Sequence, residues 1–118
     1  MNNITKSELQ TLINSMREEI QNDTINGTEF PQFYKEVLED LNQAEISLQL
    51  WDYDRYFDII WNINLDILDI IDNLDNIIWT TIFKLYRLQK KLKNKKQNLP
   101  TEIYNLLQEI NKKIENYK

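Results

Sequence analysis

From Asp54 to Asn98 the chain runs without a single glycine or proline. Nothing in that stretch breaks a helix, and its apolar residues recur at helical spacing. Ile59, Ile63, Ile67, Ile70, Leu74, Ile77, Thr81, Leu85, Leu88 and Leu92 follow one another at steps of three or four, and the phase never resets. The pattern predicts one long central helix from about Tyr53 to Lys96, roughly 66 Å at ~1.5 Å per residue. The alternative is a break near 72–76, where Asp72 or Asn73 caps a new helix, because so long a rod is unusual in a chain of 118 residues.

On a helical wheel, Asp58, Asn62, Asp66, Asp69, Asn73, Asn76, Thr80, Lys84, Arg87, Lys91 and Asn94 share one polar arc about 80° wide at 3.6 residues per turn. Trp61, Leu65, Leu68, Trp79, Phe83 and Tyr86 form a second apolar edge beside the main stripe. A helix apolar over so much of its circumference is packed from several sides.

Shorter helices surround it. Thr5 and Glu8 have the spacing of a capping box and open a helix over 6–22, with Leu9, Leu12, Ile13, Met16 and Ile20 on one face. NDTINGTEF reads as a loop, and Gly27, the only glycine, sits within it. Pro31 suits the first turn of a second helix, 31–50, whose stripe is Tyr34, Val37, Leu41, Ala44 and Leu48. WDYDRYF is a tight turn with Asp52 or Asp54 as the next N-cap. The run LNQAEISLQLWDYDRYFDII has the cadence of a tetratricopeptide-type hairpin, but it occurs once and implies no repeat array. A last helix, 101–117, follows Leu99-Pro100 and carries Ile103, Leu107, Ile110, Ile114 and Tyr117. The expected fold is therefore all-α, a single domain over 1–118 with four to five helices around the long one. In that arrangement the last helix lies along the C-terminal half of the long helix. That half then lacks other cover, which implies a homodimer or an external partner.

The chain has no cysteine and no histidine, which excludes disulfides, thiolate zinc sites, cysteine nucleophiles and the usual general base. One glycine leaves no room for a phosphate loop. DILDIID and the Asp75 after it put carboxylates at steps of three, which drift by about 60° per step at 3.6 residues per turn and do not converge on a metal. No enzyme, cofactor or metal is expected. MNNITKSELQ lacks the features of a signal peptide, and Asp66, Asp69, Asp72 and Asp75 interrupt the most apolar stretch, so a cytoplasmic protein without a membrane span is expected.

The net charge of −5 hides a polarised molecule. Residues 1–83 carry −12 and residues 84–118 carry +7. The acidic arc of Asp54, Asp58, Asp66, Asp69 and Asp72, with Trp61, Tyr53 and Tyr56 nearby, fits an interface for a basic protein partner such as a toxin, a nuclease or a nucleic-acid-handling complex. The competing reading is a solvated face over core aromatics. The run KLYRLQKKLKNKK offers Lys84, Arg87, Lys90, Lys91 and Lys95 as a basic patch, although cations also suit a helix C-terminus, and nucleic acid is the weaker partner candidate. The function expected is a non-catalytic protein-binding inhibitor. It would be a toxin-neutralising immunity or antitoxin protein, or a phage-encoded, anti-CRISPR-like inhibitor of a defence complex. The alternative is an architectural, oligomerising subunit whose basic end touches nucleic acid.

Overall fold

The computed structural model describes residues 4–25, 31–73, 81–93 and 99–116, with side chains described for 4–22, 31–73, 82–90 and 99–116. These residues form five helices, and no strand occurs among them: α1 (Lys6–Ile25), α2 (Pro31–Gln49), α3 (Tyr53–Asp72), α4 (Thr81–Lys93) and α5 (Thr101–Asn116). The fold is an all-α bundle.

Local chemistry sets the helix starts. The Thr5 hydroxyl oxygen accepts from the Glu8 N–H at 3.1 Å, and the hydroxyl donates to the Glu8 carboxylate at 3.3 Å. This satisfies one of the orphan donors of the first turn. Asp52 caps α3 by accepting from the Arg55 N–H at 3.1 Å. Pro31 is the first residue of α2, where its missing N–H costs nothing.

Cross-helix contacts fix the directions. Gln10 donates to Glu45, and Arg17 reaches both Asn42 and Glu45, so α1 and α2 are antiparallel. Lys84 pairs with Glu19, while Arg87 and Leu88 lie beside Ser7, Thr11 and Ser15, so α4 runs antiparallel to α1. Trp61 and Asp54 lie near Pro100 and Glu102 at one end, and Asp72 pairs with Lys113 at the other, so α3 and α5 run parallel. The packing closes a ring in the order α1, α2, α3, α5, α4 and back to α1.

The core fills this ring. It includes Ile13, Met16 and Ile20 of α1, Val37, Leu41 and Leu48 of α2, Tyr56, Ile60, Ile63, Ile67 and Ile71 of α3, Ile82, Phe83 and Leu85 of α4, and Leu107 and Ile110 of α5. The buried line on α3 is rotated from the expected stripe: Ile59 and Ile70 are half-buried at its margin, and Ile60 and Ile71 lie inside. Tyr56 is a core residue rather than part of an interface, since its hydroxyl donates to the Leu9 carbonyl at 3.1 Å and burial pushes its pKa well above the usual tyrosine range. Leu74, Asp75, Ile77, Trp79 and Tyr117 lie outside the described residues.

The single long helix is not what forms. α3 ends at Asp72, where the Asn73 N–H bonds the Ile70 and Ile71 carbonyls. The break falls where the alternative reading placed it. The deciding contact is a buried amide pair. Asn64 Nδ2 donates to Gln89 Oε1 at 2.7 Å, and Gln89 Nε2 donates to Asn64 Oδ1 at 2.8 Å. In one continuous helix these residues would stand ~37 Å apart at ~1.5 Å per residue. The molecule measures only 39 Å along its longest axis, too short for a 66 Å rod. With α4 folded back against α1 and α5, the expected lack of cover on the C-terminal half disappears, and with it the argument for a second copy at that place.

A candidate acidic docking groove

The parallel pairing of α3 and α5 brings the first turns of both helices side by side. A groove of about 430 Å³ lies between them, with Asp54, Phe57, Asp58 and Trp61 on the α3 side. Pro100, Glu102 and Ile103 close the α5 side. Three carboxylates rim the groove, and among the described residues no lysine or arginine lines it. Asp54, Asp58 and Glu102 are exposed and, among the described residues, carry no ion pair. Trp61, which lines the groove with them, is 38% exposed.

Helix electrostatics account for part of this. Asp54 and Glu102 sit in the first turns of α3 and α5, where a negative charge favours the macrodipole. That argument covers neither Asp58, further along α3, nor an indole left in water beside it.

The expected acidic arc therefore divides into three environments. Asp54 and Asp58 face the groove with Trp61. Asp72 is paired with Lys113 of α5 and is internally neutralised. Asp66 lies at the α2–α3 seam, where burial chiefly, and then the charges of Glu36 and Asp69, raise its pKa above the ordinary carboxylate value. Asp40 across the seam is raised in the same way, by burial first and then by Asp66, Glu36 and Glu39. Tyr53 is half-buried and stands edge-on to Trp51, at 6.2 Å between centroids and 77° between planes. Among the described residues, no group of three or more acidic side chains could hold a metal ion.

The raised pKa of Asp66 has a definite sign. The folded state holds this proton more tightly than the unfolded chain, so its contribution to stability falls as pH rises from about 4 through the raised value. Asp66→Asn removes that charge. The variant is expected to melt about 2 °C above the parent at pH 7, a gap that closes near pH 3, as thermal melts at the two pH values would record. An unchanged difference between the two pH values would contradict the seam assignment.

The residues of the basic patch fall in different settings where they are described. Lys84 pairs with Glu19 at 3.8 Å, and Arg87 borders a separate groove of about 400 Å³ between α1 and α4 that also includes Glu8. Lys90 is exposed, and the side chains of Lys91 and Lys95 lie outside the described residues. Glu102 and Pro100 stand beside the α3 acids only because α3 pairs with α5, which the pattern within either helix does not reveal. No described helix is long and apolar enough to cross a membrane. Comparison with known proteins finds no matching family model, curated protein or solved structure.

Proposed function

We propose that the protein is a non-catalytic binding protein that docks a basic protein partner, such as a toxin, a nuclease or a nucleic-acid-handling complex, onto the α3–α5 groove and so blocks it. The observation that carries this reading is the set of three carboxylates, without a counter-charge among the described residues, in one groove with a partly exposed tryptophan. An aromatic anchor ringed by charge is the usual anatomy of a binding hot spot, and uncompensated acids steer a basic partner and fix its register. A lysine or arginine of the partner would meet both the indole face and the carboxylates.

Affinity purification from the native cell, using the wild-type chain and the Asp54→Lys/Asp58→Lys variant in parallel, tests it. The expected result is a basic protein retained by the wild type, released by salt and lost on the variant, with both baits giving the same helical circular dichroism. A partner held equally by both baits would falsify the groove assignment.

A further inference from the structure

Three of the four large apolar side chains exposed among the described residues lie within six positions of one another, where α2 turns into α3. Ile46 is 45% exposed, Leu50 69% and Trp51 66%. Ile46 and Leu50 are one helical turn apart, so they share the outer face of α2.

The backbone at this corner is strained. The Asp52 N–H bonds the Ser47 carbonyl at 2.9 Å and the Trp51 N–H bonds the Leu48 carbonyl at 3.1 Å, the two bonds of a Schellman motif. The residue after the helix end in that motif takes a left-handed conformation, and Trp51 does so with φ of 60°. Glycine is the usual occupant, because a Cβ is crowded there. The apolar contact that commonly accompanies the motif is missing too, since its two positions are Ser47 and Asp52. A bulky side chain is thus held in an unfavourable backbone and then left in water, a combination that core packing does not explain.

The ring is nevertheless positioned. The Lys6 ammonium sits 4.0 Å from the Trp51 ring centroid and Tyr53 meets the ring edge-on, so little side-chain freedom remains to be lost on binding. The corner and the acidic groove lie at the same end of the bundle, since the groove is lined by the first turns of α3 and α5 and the corner leads into α3. Asp54 lies three residues after Trp51 and Trp61 ten, and from Tyr53 to Trp61 α3 advances ~12 Å at ~1.5 Å per residue.

We propose that the Ile46–Leu50–Trp51 corner is the second anchor for the occupant of the acidic groove, and that this occupant is a basic amphipathic helix of the partner. The inference rests on the groove reading above. A helix of about three turns covers that distance and shows an apolar and a cationic face side by side. Its apolar residues seat on the corner while its lysines or arginines reach Asp54, Asp58 and Glu102.

Three synthetic peptides of about 18 residues, long enough to fold as helices on contact, serve as probes. One is an amphipathic Leu/Lys helix, one has serine in place of leucine, and one has glutamate in place of lysine. Affinities for the full chain are measured by fluorescence anisotropy at low salt. The wild type is expected to bind Leu/Lys at least tenfold more tightly than Ser/Lys. Trp51→Gly should erase that advantage and leave Ser/Lys binding unchanged. Its melting temperature should stay within about 3 °C of the parent, since glycine adopts the strained angle freely and offsets the lost ring contacts. Leu/Lys binding unaffected by Trp51→Gly, while Ser/Lys binding still depends on Asp54 and Asp58, would overturn the corner alone. Binding of both cationic peptides that ignores Asp54→Lys/Asp58→Lys would overturn the groove reading and the corner with it. Equal affinity for the Leu/Glu peptide, or a dimer of the free chain that Trp51→Gly dissociates, would also overturn the proposal, the latter by making the occupant a second copy.

Discussion

Asn64→Ala is expected to cost about 3 kcal/mol of stability and to lower the melting temperature by about 12 °C, as a circular dichroism melt would record. Asn64 and Gln89 are fully buried, and each satisfies the other through two short hydrogen bonds. Each also donates to the carbonyl one turn earlier on its own helix, Ile60 for Asn64 and Leu85 for Gln89. Truncating Asn64 leaves the Gln89 amide oxygen in an apolar interior without its donor and opens a small void. The desolvation penalty of the orphan and the cavity add. The double variant Asn64→Leu/Gln89→Leu removes both polar groups and is expected to recover most of the loss. It also removes the amide pair that, among the described residues, hydrogen-bonds α3 to α4. That variant is therefore expected to sediment as a mixture of monomer and larger species, where the parent gives one boundary. A melting temperature for Asn64→Ala within 3 °C of the parent, or a double variant less stable than the single one, would show that the pair does not hold the hairpin.

The second large effect is on association. Asp54→Lys/Asp58→Lys reverses two of the three groove charges and is expected to weaken binding of the basic partner at least 100-fold, about 3 kcal/mol. Most of the wild-type salt dependence should disappear with it, because the approach would no longer be steered. Trp61→Ala should act differently, with faster dissociation and an association rate close to wild type. Asp69→Lys is the control. Asp69 is exposed, like Asp58, but lies about three turns further along α3 and does not line the groove. Stopped-flow association at two salt concentrations separates these cases. If Asp69→Lys is as damaging as the groove variant, the partner reads the net charge of α3 and no particular site on it.

Helix existence and helix starts were legible because they rest on neighbours in sequence. Thr5, Pro31 and Asp52 each act within a turn of their own position, and the apolar faces of α1, α2 and α5 show at helical spacing. The hairpin between α3 and α4 was only half legible. Continuous apolar phase says that residues are helical and nothing about whether two helices are collinear or folded back. A signal did exist: Asn64 and Gln89 are polar residues on the apolar side, within about 20° of each other on a common wheel. As isolated defects on one rod each would be costly, whereas across a hairpin they satisfy one another. The groove was legible on its α3 side, in Asp54, Asp58 and Trp61, but Glu102 joins it only through the parallel pairing of α3 and α5. Asp66 and Asp72 share a helix face with Asp58 in projection, yet neighbouring helices divert them to a seam and an ion pair. The strain at Trp51 has no signature in composition, because glycine is what that position normally announces.

The ring order has a consequence for synthesis. The first helix completes its packing only against the fourth, so its apolar residues wait on the ribosome for a partner 56 positions downstream of its own end. At about 5–20 residues per second that interval lasts roughly 3–11 s. During it, α1, α2 and then α3 form an open assembly in which the side of α1 that faces α4 stays uncovered. Closure then comes late, when α4 and after it α5 leave the ribosome.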